Sequence, residues 1–210
     1  MMRRLVALPI TLALAALAAC GSDNSTQPTP PEPPPAPPDT IQLTIASVVG
    51  TRAFPAGNTE RGGDGATIDG IACDDGASDY HIHAHVSLFV KGEQIAIPEA
   101  IGVKDPQTVN NFVVAGRCWY WIHTHDATGI IHVEPPTQIE TSLGQLFDIW
   151  GQPLSKTEVA GYQGPVTVSV DGESYTGDPR AITFESHRQI TLQVGTPLVT
   201  PPVYIFPPTY

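Results

Sequence analysis

Six of the seven histidines in this 210-residue chain fall in two short stretches. The first is His81-Ile82-His83-Ala84-His85; the second is His123-Thr124-His125-Asp126, followed by His132-Val133-Glu134. Imidazole is the commonest metal ligand in proteins and suits Zn(II) and Cu(II). One zinc ion takes four ligands, or three and a water. Six histidines together with Asp126 and Glu134 exceed one such site. Either two ions bind, or some of these side chains orient the ligands, a role that fits the two carboxylates. A single His-x-His is commonly a solvated strand face, whereas two such clusters in one small domain favour a metal site. His187 has no histidine near it in sequence and reads as a surface residue.

The only methionines are Met1 and Met2, so a blue-copper site with an axial methionine is excluded. An all-imidazole site suits Cu(II) or Zn(II); iron or manganese enters only if carboxylates join.

Alternation supplies the geometry. On a strand, residues i, i+2 and i+4 share one face. His81, His83 and His85 therefore project together, and Ile82, Ala84, Val86, Leu88 and Val90 make an apolar opposite face suited to the core. In the second stretch Trp119, Trp121, His123 and His125 share one face, with Cys118, Tyr120, Ile122 and Thr124 on the other. Cys118 should thus point away from the imidazoles. That favours a Cys73–Cys118 disulfide and weakens Cys118 as a metal ligand. His132 and Glu134 lie together, opposite Ile131 and Val133.

Asp126-Ala127-Thr128-Gly129 reads as a hairpin turn. As a four-residue loop it sets His123 across from His132, with Cβ atoms about 4.5–5.5 Å apart. As a three-residue loop with a bulge at Gly129 it slips the register by one and turns His132 to the other face. Both remain open from sequence.

The elements that must carry these residues are mostly strands. Ile41, Leu43 and Ile45 alternate with polar or small residues; residues 80–90, 117–125 and 130–134 follow; then Val166 to Val170, Ile182 to Glu185 and Ile190 to Val194. Residues 55–79, rich in Gly and Asp, read as a solvated loop whose spacing fits no EF-hand. One helix is expected near 142–150: Ser142 and Gln145 form a capping box, Leu146, Ile149 and Trp150 share a face, and Gly151 and Pro153 stop it. The last residues, rich in proline, read as irregular. No βα alternation is seen, which disfavours a TIM barrel or a Rossmann sheet. The expected class is mainly β: a β sandwich, an open barrel or a β-rich α+β domain.

The formal net charge is -11, which argues against nucleic acid and against a polybasic grip on anionic lipid. Arg3 and Arg4 precede an apolar run from Leu5 to Leu17, too short to span a bilayer with ease. It ends in Leu17-Ala18-Ala19-Cys20, which resembles the lipobox of bacterial lipoproteins. That resemblance implies a signal peptide over 1–19, cleavage before Cys20, and membrane lipid attached to Cys20. Gly21 stands where an aspartate often implies inner-membrane retention, which leans toward the outer membrane. Residues 20–40 read as the lipidated cysteine and a polyproline linker, at about 3.1 Å per residue. Residues 41–210 read as one histidine-rich domain.

The segments Tyr80 to His85, Leu88 through Ile97-Pro98 to Ile101-Gly102, Cys118 to Gly129, Ile131 to Pro135 and Ser142 to Gly151 resemble a family of exported bacterial and archaeal proteins carrying HxHxH and HTHDxTGxIHVE motifs. The resemblance implies one domain type over roughly residues 78–195 and carries over no catalytic residue. Cupin, metallo-β-lactamase, Cu,Zn superoxide dismutase and Ser-His-Asp hydrolase signatures are not matched. Three readings result: a lipid-anchored protein that captures or handles copper or zinc; a metal-dependent enzyme with Glu134 or Asp126 as base and Trp119, Trp121 and Tyr120 beside a groove; and a structural or adhesive β domain. The first is favoured, with His81, His83, His85, His123, His125 and His132 as proposed ligands.

Overall fold

The computed structural model describes residues 37–76 and 78–210. The expected signal segment, Cys20 and the expected linker through residue 36 lie outside the described residues. In chain order the strands are β1 (Thr40–Gln42), β2 (Cys73–Asp74), β3 (Ile82–Val90), β4 (Glu93–Ile95), β5 (Val103–Lys104), β6 (Gln107–Val109), β7 (Phe112–Ala115), β8 (Cys118–Tyr120), β9 (Ile122–His123) and β10 (Ile130–Val133). After helix α1 (Leu143–Trp150) come β11 (Glu158–Val159), β12 (Tyr162–Gln163), β13 (Val166–Val170), β14 (Glu173–Tyr175), β15 (Gln189–Val194) and β16 (Val203–Ile205). This is a β-rich α+β domain with an open main sheet.

That sheet has seven strands in the order β14-β13-β15-β3-β10-β9, with β4 also on β3. The long strand β3 is its spine. β15 runs parallel to it along one edge, while β10 and then β4 pair antiparallel along the other. Ala84, Val86 and Leu88 on β3 are buried in the main core, where they join Leu146, Phe147, Ile149 and Trp150 of α1. The helix is fixed locally. The Ser142 hydroxyl accepts from the Gln145 N–H, the Gln145 side chain accepts from the Ser142 N–H, and Gly151 closes the helix at φ 75°. A Cβ at Gly151 would also stand 2.3 Å from the Gly62 nitrogen, so glycine is required there twice over.

Four expectations change. The first strand covers only Thr40–Gln42, pairing parallel with β16. The proline-rich tail is thus not wholly irregular: β16 forms in it, and Tyr204 joins Leu43 and Ile130 in a second, smaller core. No strand forms at Ile182 to Glu185. A 3-10 turn, Pro179–Ala181, leads into that segment, and only Thr183 bridges, to Ser142. The loop before β3 is more than a solvated excursion. Ile71 within it is buried, and Asp74 accepts from the Trp121 indole N–H.

Cys73 and Cys118 form a disulfide that ties β2 to β8 and closes a 45-residue separation. By loop entropy alone such a link stabilises by about 4 kcal/mol. The Cys73→Ala, Cys118→Ala double variant is expected to melt roughly 8–16 °C lower, measured by circular dichroism. An unchanged melting temperature would show that the loop is held without the link.

Candidate metal centre

Hydrogen-bond register brings the two histidine stretches together. His132 on β10 lies directly across from His83 on β3 and, on its other side, from His123 on β9. The hairpin therefore takes the four-residue solution. Two devices pin it. The Asp126 carboxylate accepts from the backbone N–H groups of Ala46 and Thr128 and from the Thr128 hydroxyl. Gly129, at φ 85°, comes so close to β3 that a Cβ there would lie 2.5 Å from the Val86 carbonyl. The outcome is a row of three imidazoles, His83, His132 and His123, across three neighbouring strands, extended by His81 just before β3 and His125 just after β9.

Two groups of donor atoms result, each within 4.8 Å of one another: His81, His83 and His132, and His123, His125 and His132. His132 belongs to both. The Nε2 atoms of His123 and His125 are 3.2 Å apart, as are His81 Nε2 and His132 Nδ1. Glu134 Oε1 lies 2.9 Å from His81 Nε2, 3.4 Å from His132 Nδ1 and 3.8 Å from His123 Nε2, so it touches donors of both groups. Ligands placed tetrahedrally at 2.0–2.1 Å from a zinc ion are separated by about 3.3 Å.

Tautomers make the second group distinctive. His123 Nδ1 lies 2.9 Å from the Tyr120 carbonyl and His125 Nδ1 lies 2.6 Å from the Val113 carbonyl. A carbonyl only accepts, so each ring donates its Nδ1–H there. A neutral imidazole carries one proton, which leaves a bare lone pair on each Nε2. Two lone pairs facing each other across 3.2 Å repel unless a cation lies between them, either a metal ion or a proton shared by the two rings. Locking the far nitrogen to a backbone carbonyl is how proteins fix a ligating histidine.

No family model, curated protein or solved structure matches this chain. The centre's chemistry follows from its own geometry.

Burial sets the protonation of the rings. It pushes His83 down to about 4, aided by His81, and His123 down to about 3, aided by His132. It lowers His125 and, most of all, His132, where His125, His83 and His81 act in the same direction. These rings are therefore neutral at pH 7, the form that binds metal. His83 Nε2 is buried with no hydrogen-bond partner among the described residues.

Not every expected residue takes part. His85 belongs to neither group. It is completely buried, its Nε2 donates to the Thr128 carbonyl at 2.9 Å, and its ring stacks on Tyr204 at 3.7 Å. The second core has closed over it. Asp126 serves the hairpin loop rather than an imidazole. Tyr120 faces the main core, where its hydroxyl donates to the Ala66 carbonyl, so it borders no groove with the histidines. His187 is exposed, yet it is not isolated: its N–H donates to the His83 carbonyl and its ring lies against Phe206. Trp119 does line the centre, 4.9 Å from the His123 ring and 5.1 Å from that of His125. Two further rings were not foreseen. Tyr210 stacks on His83 and Phe112 stacks on His125. Nothing local in the sequence marks either, because both arrive from other segments.

Proposed function

We propose that this chain is a lipid-anchored, extracytoplasmic protein that captures Cu(II) or Zn(II) through His81, His83, His123, His125 and His132. One observation carries the reading: the facing lone pairs of His123 and His125 beside His132. The disulfide is in keeping with an oxidising compartment, and Cys20 would supply the anchor. Five imidazoles and Glu134 offer more donors than one ion needs, which favours a filled coordination sphere over the open position that catalysis requires.

The test is calorimetric titration of the metal-free protein with Cu(II) and with Zn(II). Binding of at least one of them with Kd below about 1 μM, a free energy near -8.2 kcal/mol, is expected. Loss of that binding in the His123→Ala, His125→Ala double variant assigns it to this centre. Failure of both metals to bind, or equal binding by the variant, would remove the reading.

A further inference from the structure

The two histidine groups differ in a way that metal capture alone does not use. In one, His123 and His125 are each tethered at Nδ1 to a backbone carbonyl, and the His123 side chain is only 3 % exposed. In the other, the His81 side chain is 47 % exposed, and among the described residues its Nε2 meets only Glu134 and His132 while the buried His83 Nε2 has no hydrogen-bond partner. The first group is pre-set by its tethers, with His125 half-buried; the second is untethered and reaches solvent at His81, although His83 is buried. They are joined by the His132 ring, common to both, and by Glu134 Oε1, which lies within 3.8 Å of a donor from each.

From this asymmetry we infer that a single ion is loaded at His81, His83 and Glu134 and then passed, without leaving the protein, to His123 and His125, with His132 bound to it throughout. The inference rests on the metal-capture reading above. The step is a ligand exchange. The bonds to His81, His83 and Glu134 break as those to His123 and His125 form, and neither electrons nor protons need be gained or lost. Retaining His132 means the ion is never released to water between the two positions. An open position lets a hydrated ion shed its waters one at a time. The tethered position then holds it with ligands whose orientation is already fixed, so less ordering is lost on binding. The ligand class is a divalent, nitrogen-preferring ion, Cu(II) or Zn(II).

Trp119 provides the clock, since its ring touches His123 and His125 and Cu(II) reaching them should quench its fluorescence. Stopped-flow mixing of the full-length protein with Cu(II) is expected to show two phases. A fast phase should depend on copper concentration, and a slower one should not. Titration should end at one equivalent. In His81→Ala, an exposed site that leaves the fold intact, and in His81→Ala, His83→Ala, loading should slow at least tenfold while the final affinity stays within tenfold of wild type. In His123→Ala, His125→Ala the slow phase should vanish and affinity should fall at least a hundredfold. Wild-type loading rates in both His81 variants, a single phase, or two equivalents bound would overturn the hand-off while leaving metal capture standing. If no variant and no wild-type protein takes up copper or zinc, capture itself fails and the hand-off with it.

Discussion

Replacing His132 by alanine is expected to weaken Cu(II) or Zn(II) binding more than any other single histidine change. The expected loss is more than about 100-fold, above what losing a partner that merely orients a ligand costs. Among the described residues His132 is the one ring shared by the two donor groups, so its removal leaves each with two imidazoles. Every other histidine belongs to one group or to neither. The informative control is His85→Ala. His85 is as buried as any described residue, and its Nε2 is already committed to Thr128. Its loss leaves a cavity under Tyr204 and should cost stability, roughly 2–4 kcal/mol by analogy with other large-to-small core changes, with metal affinity within a few-fold of wild type. Calorimetric affinities and denaturant midpoints, measured on both variants, separate the two effects. Equal affinity losses would show that burial, not ligation, is what these histidines supply.

Acid is expected to destabilise the metal-free protein while barely loosening the bound ion until well below pH 6. An exposed histidine titrates near 6.5, and burial holds His83 to about 4 and His123 to about 3, with His125 and His132 also lowered. Above about pH 6.5 these rings are neutral in folded and unfolded chains alike, so stability does not depend on them. Between about 6.5 and about 4 the unfolded chain takes up protons that the folded protein refuses. Stability is therefore lost as pH falls through that window. The same refusal protects the centre, because protons compete poorly for its nitrogens. Three unperturbed imidazoles would each lose about tenfold in availability between about pH 7.5 and about pH 5.5, about a thousandfold together. Here the apparent affinity for Cu(II) should drop by less than about tenfold over that range. Denaturant titrations of the metal-free protein and competition titrations of the loaded one, run at matched pH, measure both. A thousandfold drop would mean that the rings are open to water.

Local signals in the sequence carried well into the structure. Helix α1 was legible because its capping box and stop lie within a dozen residues of one another. The imidazole face of β3 and the placing of Cys118 away from His123 and His125 followed from alternation alone. The hairpin register was legible only as two alternatives, since the choice depends on Ala46 reaching the Asp126 carboxylate and on Gly129 pressing against Val86. What was illegible is long-range. The parallel pairing of β15 with β3, the covering of His85 by Tyr204 and the docking of Tyr210 on His83 all bring together segments far apart in the chain. The tautomer locks at the Tyr120 and Val113 carbonyls are likewise backbone contacts that no residue type announces.

Electron paramagnetic resonance of the protein carrying one equivalent of Cu(II) most directly tests whether these imidazoles converge on an ion. Coupling to three imidazole nitrogens is expected, reduced in the His123→Ala, His125→Ala double variant and unchanged in His85→Ala. A spectrum of aquated or oxygen-ligated copper, or a nitrogen pattern indifferent to the loss of His123 and His125, would contradict it.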